Sequence, residues 1–194
     1  MTTYAMPETT TPPAAEPGTV YLVSSGDGRE SANTASWPVQ QALEAMITEA
    51  ITAQGYRVVR AHGVDPQTGH GFISSQRMGL EVFATIPREV PLVVAIGNWQ
   101  YSHHVLPGLR THEGPILTVA NFVPEWPGLV GLLGLNGGLT KMGKDYSSLW
   151  TVDGTDEWFQ QSLAGWLEHG TVTHDESHVR PLPALPPSPE SDLG

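Results

Sequence analysis

The feature that most constrains this chain is an alternation. Five short apolar runs recur along it, and each is followed by a segment whose apolar residues have helical spacing. The runs are residues 19–24 (TVYLVS), 56–61 (YRVVRA), 91–96 (PLVVAI), 115–120 (PILTVA) and 146–152 (YSSLWTV). Such runs, above all the wholly apolar 91–96, fit strands covered on both faces. Strands joined through helices pair in parallel, with right-handed crossovers and helices on both sides of the sheet.

The linking segments read as follows. From Trp37, the positions Val39, Leu43, Met46, Ile47, Ala50 and Ile51 predict an amphipathic helix, with Pro38 in its first turn and Gly55 at its stop. Residues 74–86 predict a second helix through Met78, Val82 and Phe83, interrupted at Gly79, and residues 102–109 a short helix or turn around Pro107. Pro127 opens a helix through Leu129, Val130, Leu132 and Leu133 that the cluster Asn136-Gly137-Gly138 stops or bends. Thr155 caps the last helix, with Asp156 and Glu157 in its first turn, Phe159, Leu163, Trp166 and Leu167 as its buried stripe and Gly170 at its end. The expected fold is α/β: a flavodoxin-like, doubly wound, five-stranded parallel sheet of order 2-1-3-4-5.

Of 17 prolines in 194 residues, four fall in residues 1–18 and five in 180–194. Segments rich in Pro, Thr, Ser and Glu bury too little apolar surface to offset chain entropy. The expected organisation is a disordered tail at 1–18, one α/β domain at 19–170, and a linker-like, Pro-rich tail at 171–194. The net charge of −11 and the absence of any basic run argue against a nucleic-acid partner. No apolar run nears the roughly 20 residues that cross a bilayer, and the N-terminus lacks the basic and apolar regions of a signal peptide. With no cysteine, disulfides, thiolate metal sites and cysteine nucleophiles are excluded. These features together predict a cytoplasmic chain that does not engage membranes.

In an open parallel sheet, ligands approach the carboxyl ends of the strands at the switch point, here between the first and third strands. Polar and aromatic residues gather at those ends: Asp27, Arg29 and Glu30 after the first strand; Asn98, Trp99, Gln100, Tyr101, His103 and His104 after the third; Asn121, Phe122, Glu125 and Trp126 after the fourth. Donors, acceptors and flat aromatic faces together suit a hydroxyl-rich sugar, although loops are polar in any case and tryptophans also close core edges. Arg29, after Gly26-Asp27-Gly28, either anchors an oxygen-rich ligand or makes a surface ion pair with Asp27 or Glu30. His103, His104 and His112 lack metal-ligand spacing, and His174-x-x-x-His178 lacks the internal Glu of a zincin helix. Neither G-x-G-x-x-G nor a P-loop occurs, so Gly131, Gly134, Gly137 and Gly138 read as packing and turn residues.

The stretch 118–159 (TVANFVPEWPGLVGLLGLNGGLTKMGKDYSSLWTVDGTDEWF), with YLVSSGDGRESAN (21–33), GFISSQRMG (71–79), WQYSHHVLPGLR (99–110) and GTVTHDESHV (170–179), resembles the N-terminal domain of the L-fucose/L-arabinose isomerase family. That resemblance implies a flavodoxin-like domain of an enzyme that interconverts aldoses and ketoses with a divalent metal, usually manganese. In the family, two acids and a histidine of later domains hold the metal, and this chain stops before them. The implied roles are therefore substrate contact and oligomer interface in trans, with no catalytic residue and no cofactor on this chain. Its partners would be an aldose or ketose, a separately encoded catalytic half, and other subunits of a homo- or hetero-oligomer. Arg29 matches the family's loop arginine and Trp99 its aromatic after the third strand. Asp27, Gln100, His103, Asn121 and Trp126 complete the candidate substrate set. Alternatives from other classes are a stand-alone carbohydrate-binding module and a flavodoxin-like electron carrier using Ser24, Ser25 and Ser31. A nonfunctional fragment exposing a lost interface is a further alternative.

Overall fold

The computed structural model describes residues 14–175 and 177. Five parallel strands, β1 (Thr19–Val23), β2 (Arg57–Arg60), β3 (Leu92–Ile96), β4 (Ile116–Asn121) and β5 (Ser147–Thr151), form one sheet in the order β2-β1-β3-β4-β5. Helices α1 (Glu30–Ala53), α2 (Gln76–Phe83), α3 (Leu106–Thr111), α4 (Leu129–Lys141) and α5 (Glu157–His169) make the crossovers, with a 3-10 turn at Ser102–His104 ahead of α3.

The sheet separates two apolar layers. Val93 and Ala95 of β3 face one side with Val20, Leu22, Leu117 and Val119, under Ile47 and Ile51 of α1 and Phe159, Leu163 and Trp166 of α5. Leu92, Val94 and Ile96 face the other side, under Val82 of α2, Leu109 of α3 and Leu132, Leu135 and Leu139 of α4. Every residue of β3 is buried, which explains why its sequence is apolar without alternation. A register slip of one residue would exchange the two layers, so packing fixes the pairing of Val93 with Leu117 on β4.

Several boundaries differ from expectation. α1 begins at Glu30, seven residues before Trp37, and Pro38 lies inside it rather than in its first turn. As far as Glu44, α1 buries Asn33, Ser36, Gln40 and Glu44 beside Trp37 and Leu43, so its inward stripe is largely polar there and its first turns carry no apolar period. Gly79 does not interrupt α2; a Cβ there would collide with the His104 carbonyl, so the glycine serves close packing. α4 runs through Asn136-Gly137-Gly138 to Lys141, and the chain turns at Gly143, whose φ is +65°. Asn136 earns its place by side-chain bonds, accepting from Thr118 Oγ1 at 2.9 Å and donating to Ser148 Oγ at 2.9 Å. The cap of α5 is Asp156, which accepts from Phe159 N at 2.8 Å, and not Thr155.

Residues 14–18, expected to be disordered, lead into β1. Ala15 packs on the α2–α4 layer, and Arg57 N donates to the Gly18 carbonyl at 2.9 Å. Past α5, Val172 packs on the α1–α5 layer and its N–H donates to Ser147 Oγ at 2.9 Å. The remaining tail expectations, 1–13, 176 and 178–194, lie outside the described residues. Among the described residues, no helix is long and apolar enough to cross a membrane.

Candidate functional site

β1 ends in a turn that is tied down from two sides. Gly26 N donates to the Ile73 carbonyl at 2.9 Å, and Tyr101 N donates to the Gly26 carbonyl at 2.8 Å. A Cβ on Gly26 would lie 2.5 Å from Asn33 Oδ1, so only glycine lets the first turn of α1 approach this closely. Asn33, fully buried, then clamps residue 27: its Oδ1 accepts from Asp27 N at 2.7 Å and its Nδ2 donates to the Asp27 carbonyl at 3.2 Å.

That clamp points the Asp27 carboxylate at Arg29. Oδ1 accepts from Arg29 N at 2.9 Å and from Nε at 2.8 Å, and Oδ2 accepts from Nη2 at 3.2 Å. The Asp27 side chain is 4% exposed and that of Arg29 75%, so a buried carboxylate holds a guanidinium out in solvent. The hydrogen bonds from Arg29 keep the Asp27 carboxyl below its ordinary range against the opposing effect of burial. The ion pair weighed from the sequence is therefore present, and it fixes the stem of Arg29 while leaving the outer face of the guanidinium free.

The exit of β3 is fixed by the polar stripe of α1. Gln40 donates from Nε2 to the Ala95 carbonyl at 3.1 Å and accepts from Gly97 N at 2.7 Å, while Asn98 Nδ2 donates to Ser36 Oγ at 2.7 Å. Alternate residues beyond it then face out and in. Trp99 is 65% and Tyr101 42% exposed, whereas Asn98 and Gln100 are buried. Tyr101 bridges the two loops, since its ring lies 3.2 Å from where a Gly28 Cβ would stand. His103 is exposed and packs edge-on against Tyr101 with centroids 5.0 Å apart. His104 is buried, stacks on Tyr101 at 5.8 Å and keeps its Nδ1 within 3.1 Å of the Ile73 carbonyl. Burial pushes its imidazole below the ordinary range.

Of the residues expected from the sequence, Asp27 and Arg29 meet Tyr101 and the His103–His104 pair at the junction of the β1 and β3 loops. Trp99 stands on the same carboxyl edge. Gln100 faces inward, its Nε2 3.5 Å from the Gly131 carbonyl and its Oε1 accepting nothing among the described residues. Asn121 is a buried strut whose Oδ1 accepts from Gly128 N at 2.7 Å. Trp126 is half-buried on the β4–α4 loop. Asn33, Ser36, Gln40 and Tyr101 were not singled out as supports. The signal of the first three was present as amides and a hydroxyl at helical spacing on α1, a pattern that reads as a solvated face until the strand ends are seen beneath it.

The same stripe continues into a partly buried ion pair. Glu44 accepts from Gln40 Nε2 at 2.9 Å and from Arg60 Nε at 2.7 Å, with the Arg60 guanidinium 5.3 Å from the Trp37 ring centroid. Beside it, burial pushes the His62 imidazole down to about 3. An open groove of about 740 Å³ runs over Trp37, Glu44, Arg60 and Val64, and another of about 1020 Å³ lies by Phe83, Arg88 and His112. Neither contains Arg29 or Trp99. Among the described residues, no group of three or more His, Asp or Glu is placed to hold a metal ion. The manganese that the resemblance implies therefore finds no donor set among them.

The fold and rim define a class: a doubly wound α/β domain that offers a cation and aromatic faces at its carboxyl edge. No family model matches the chain, and no curated protein matches it.

Proposed function

We propose that this chain is the substrate-contacting, N-terminal-type domain of an aldose–ketose isomerase of the L-fucose/L-arabinose kind, inactive alone and working in trans in the cytoplasm. The observation that carries this reading is the posture of Arg29. A buried carboxylate spends its charge on holding one guanidinium in solvent, on the carboxyl edge that also bears exposed Trp99 and Tyr101. Guanidinium donors and flat aromatic faces suit the hydroxyls and C–H faces of a sugar. Arg29 and Trp99 stand well exposed, which fits a half-site completed by a second surface. The metal-binding acids and histidine would belong to that second surface, on a separately encoded half or another subunit.

The purified chain with manganese and L-fucose or L-arabinose is expected to give no aldose–ketose conversion while the sugar still contacts the rim. Turnover by the chain alone overturns the reading. The exposed aromatics favour one second reading, a stand-alone carbohydrate-binding module. Saturable binding at micromolar sugar, on the order of −8 kcal/mol, would select it. Weak millimolar contact is what a half-site gives.

A further inference from the structure

The chain's own packing accounts for only two of the glycines at 131, 134, 137 and 138 of α4. A Cβ on Gly131 would lie 2.6 Å from the Asn98 carbonyl oxygen, and one on Gly138 3.0 Å from Leu106 Cδ1. Among the described residues, the nearest atom to a Cβ on Gly134 is Ser102 Oγ at 4.0 Å, and nothing lies within 4 Å of one on Gly137. Glycine within a helix is less stable than alanine, so these two positions carry a cost that no contact among the described residues explains. They share the outer face with Val130 and Leu133, which are 48% and 61% exposed. Positions 130, 133, 134 and 137 follow the i, i+3, i+4, i+7 spacing of one stripe. Residues 129–140 contain no charged side chain, in a chain whose net charge is −11. By contrast α1, α2 and α5 expose Glu49, Glu81 and Glu168. Gly165 of α5 has equal room, but its face carries Gln161 and Glu168.

We propose that α4 is a dimerisation helix, packing antiparallel across a two-fold axis on α4 of a second copy of this chain. The occupant is a second copy because the stripe carries both halves of the fit. Leu133 and Val130 project, Gly134 and Gly137 recede, and a two-fold axis sets each against the other. Two chains of this net charge repel through their acidic faces and approach at the uncharged one. Antiparallel packing also sets exposed Lys141, at the C-terminal end of one helix, near exposed Glu125, ahead of the N-terminal end of the other. The proposal rests on the oligomer part of the reading above and is independent of any sugar.

Sedimentation equilibrium of the full 194-residue chain without sugar tests it. The wild type is expected to be a dimer by about 100 µM. Leu133→Glu is expected to be monomeric with an unchanged far-UV circular dichroism spectrum. Gly137→Ala, which the helix accommodates, is expected to weaken association about tenfold. Lys141→Glu weakens it as well, and adding Glu125→Lys restores it. A wild type that is monomeric at about 100 µM, or a dimer untouched by Leu133→Glu and Gly137→Ala, overturns the proposal. Since no sugar is present, either failure leaves the reading of the Arg29 rim standing.

Discussion

Asp27 and Arg29 are neighbours in sequence, and the pairing of a carboxylate with a guanidinium two residues on could be anticipated from the chain. What could not be anticipated is which partner would be buried. That is decided by Asn33, whose side chain spends both its acceptor and its donor on the backbone of residue 27. Asn33→Ala leaves a buried N–H and a buried carbonyl without partners, at an expected cost of about 1–3 kcal/mol in urea unfolding. A variant of wild-type stability would remove Asn33 from the account. Polar side chains such as Asn33 and Gln40 escape a sequence reading because burial and partner are properties of the assembled sheet. Gln40 is intelligible only once the β3 exit lies beneath it.

Among the elements, the five strands and the last helix were legible, because apolar runs and one apolar stripe report burial directly. The start of α1 was not, since a polar inward stripe hides it and Pro38 suggested a boundary that tertiary contacts override. Glycine is the ambiguous letter. The same residue reads as a break in α2 and α4, yet it sits inside both helices for different reasons. Gly79→Ala would drive a Cβ into the His104 backbone, and urea unfolding is expected to show a loss of about 2–3 kcal/mol. Gly137→Ala meets nothing within 4 Å among the described residues and is expected to raise the stability of the dilute, unassociated chain by about 0.5–1 kcal/mol. Equal shifts for the two variants would contradict the packing described for α2 and α4.

For the whole molecule, parallel pairing followed from the alternation of strands and helices and the order 2-1-3-4-5 from the doubly wound pattern chosen for it, whereas the supports of the rim belong to a buried polar layer that composition does not announce. That layer makes stability depend on pH. Burial lowers the imidazoles of His62, His104 and His112 below their ordinary value of 6.5. Between 6.5 and the value of about 3 held by His62, the unfolded chain binds protons that the native chain does not, so stability rises with pH. It is complete above 6.5 and lost as pH falls; the depressed Asp27 carboxyl adds its own loss only below its ordinary 3.8. Urea unfolding near pH 7.5 and near pH 5 is expected to show the drop, and His62→Gln to shrink it. A chain equally stable at both would contradict the buried neutral state of these rings. The most direct test of the central claim, that the Arg29–Trp99 rim receives a sugar, is a 15N–1H NMR titration of the chain with L-fucose and L-arabinose. The account predicts shifts confined to residues 26–29, 97–103 and 121–126, lost in Arg29→Ala and Trp99→Ala; shifts elsewhere, or none at about 100 mM sugar, would contradict it.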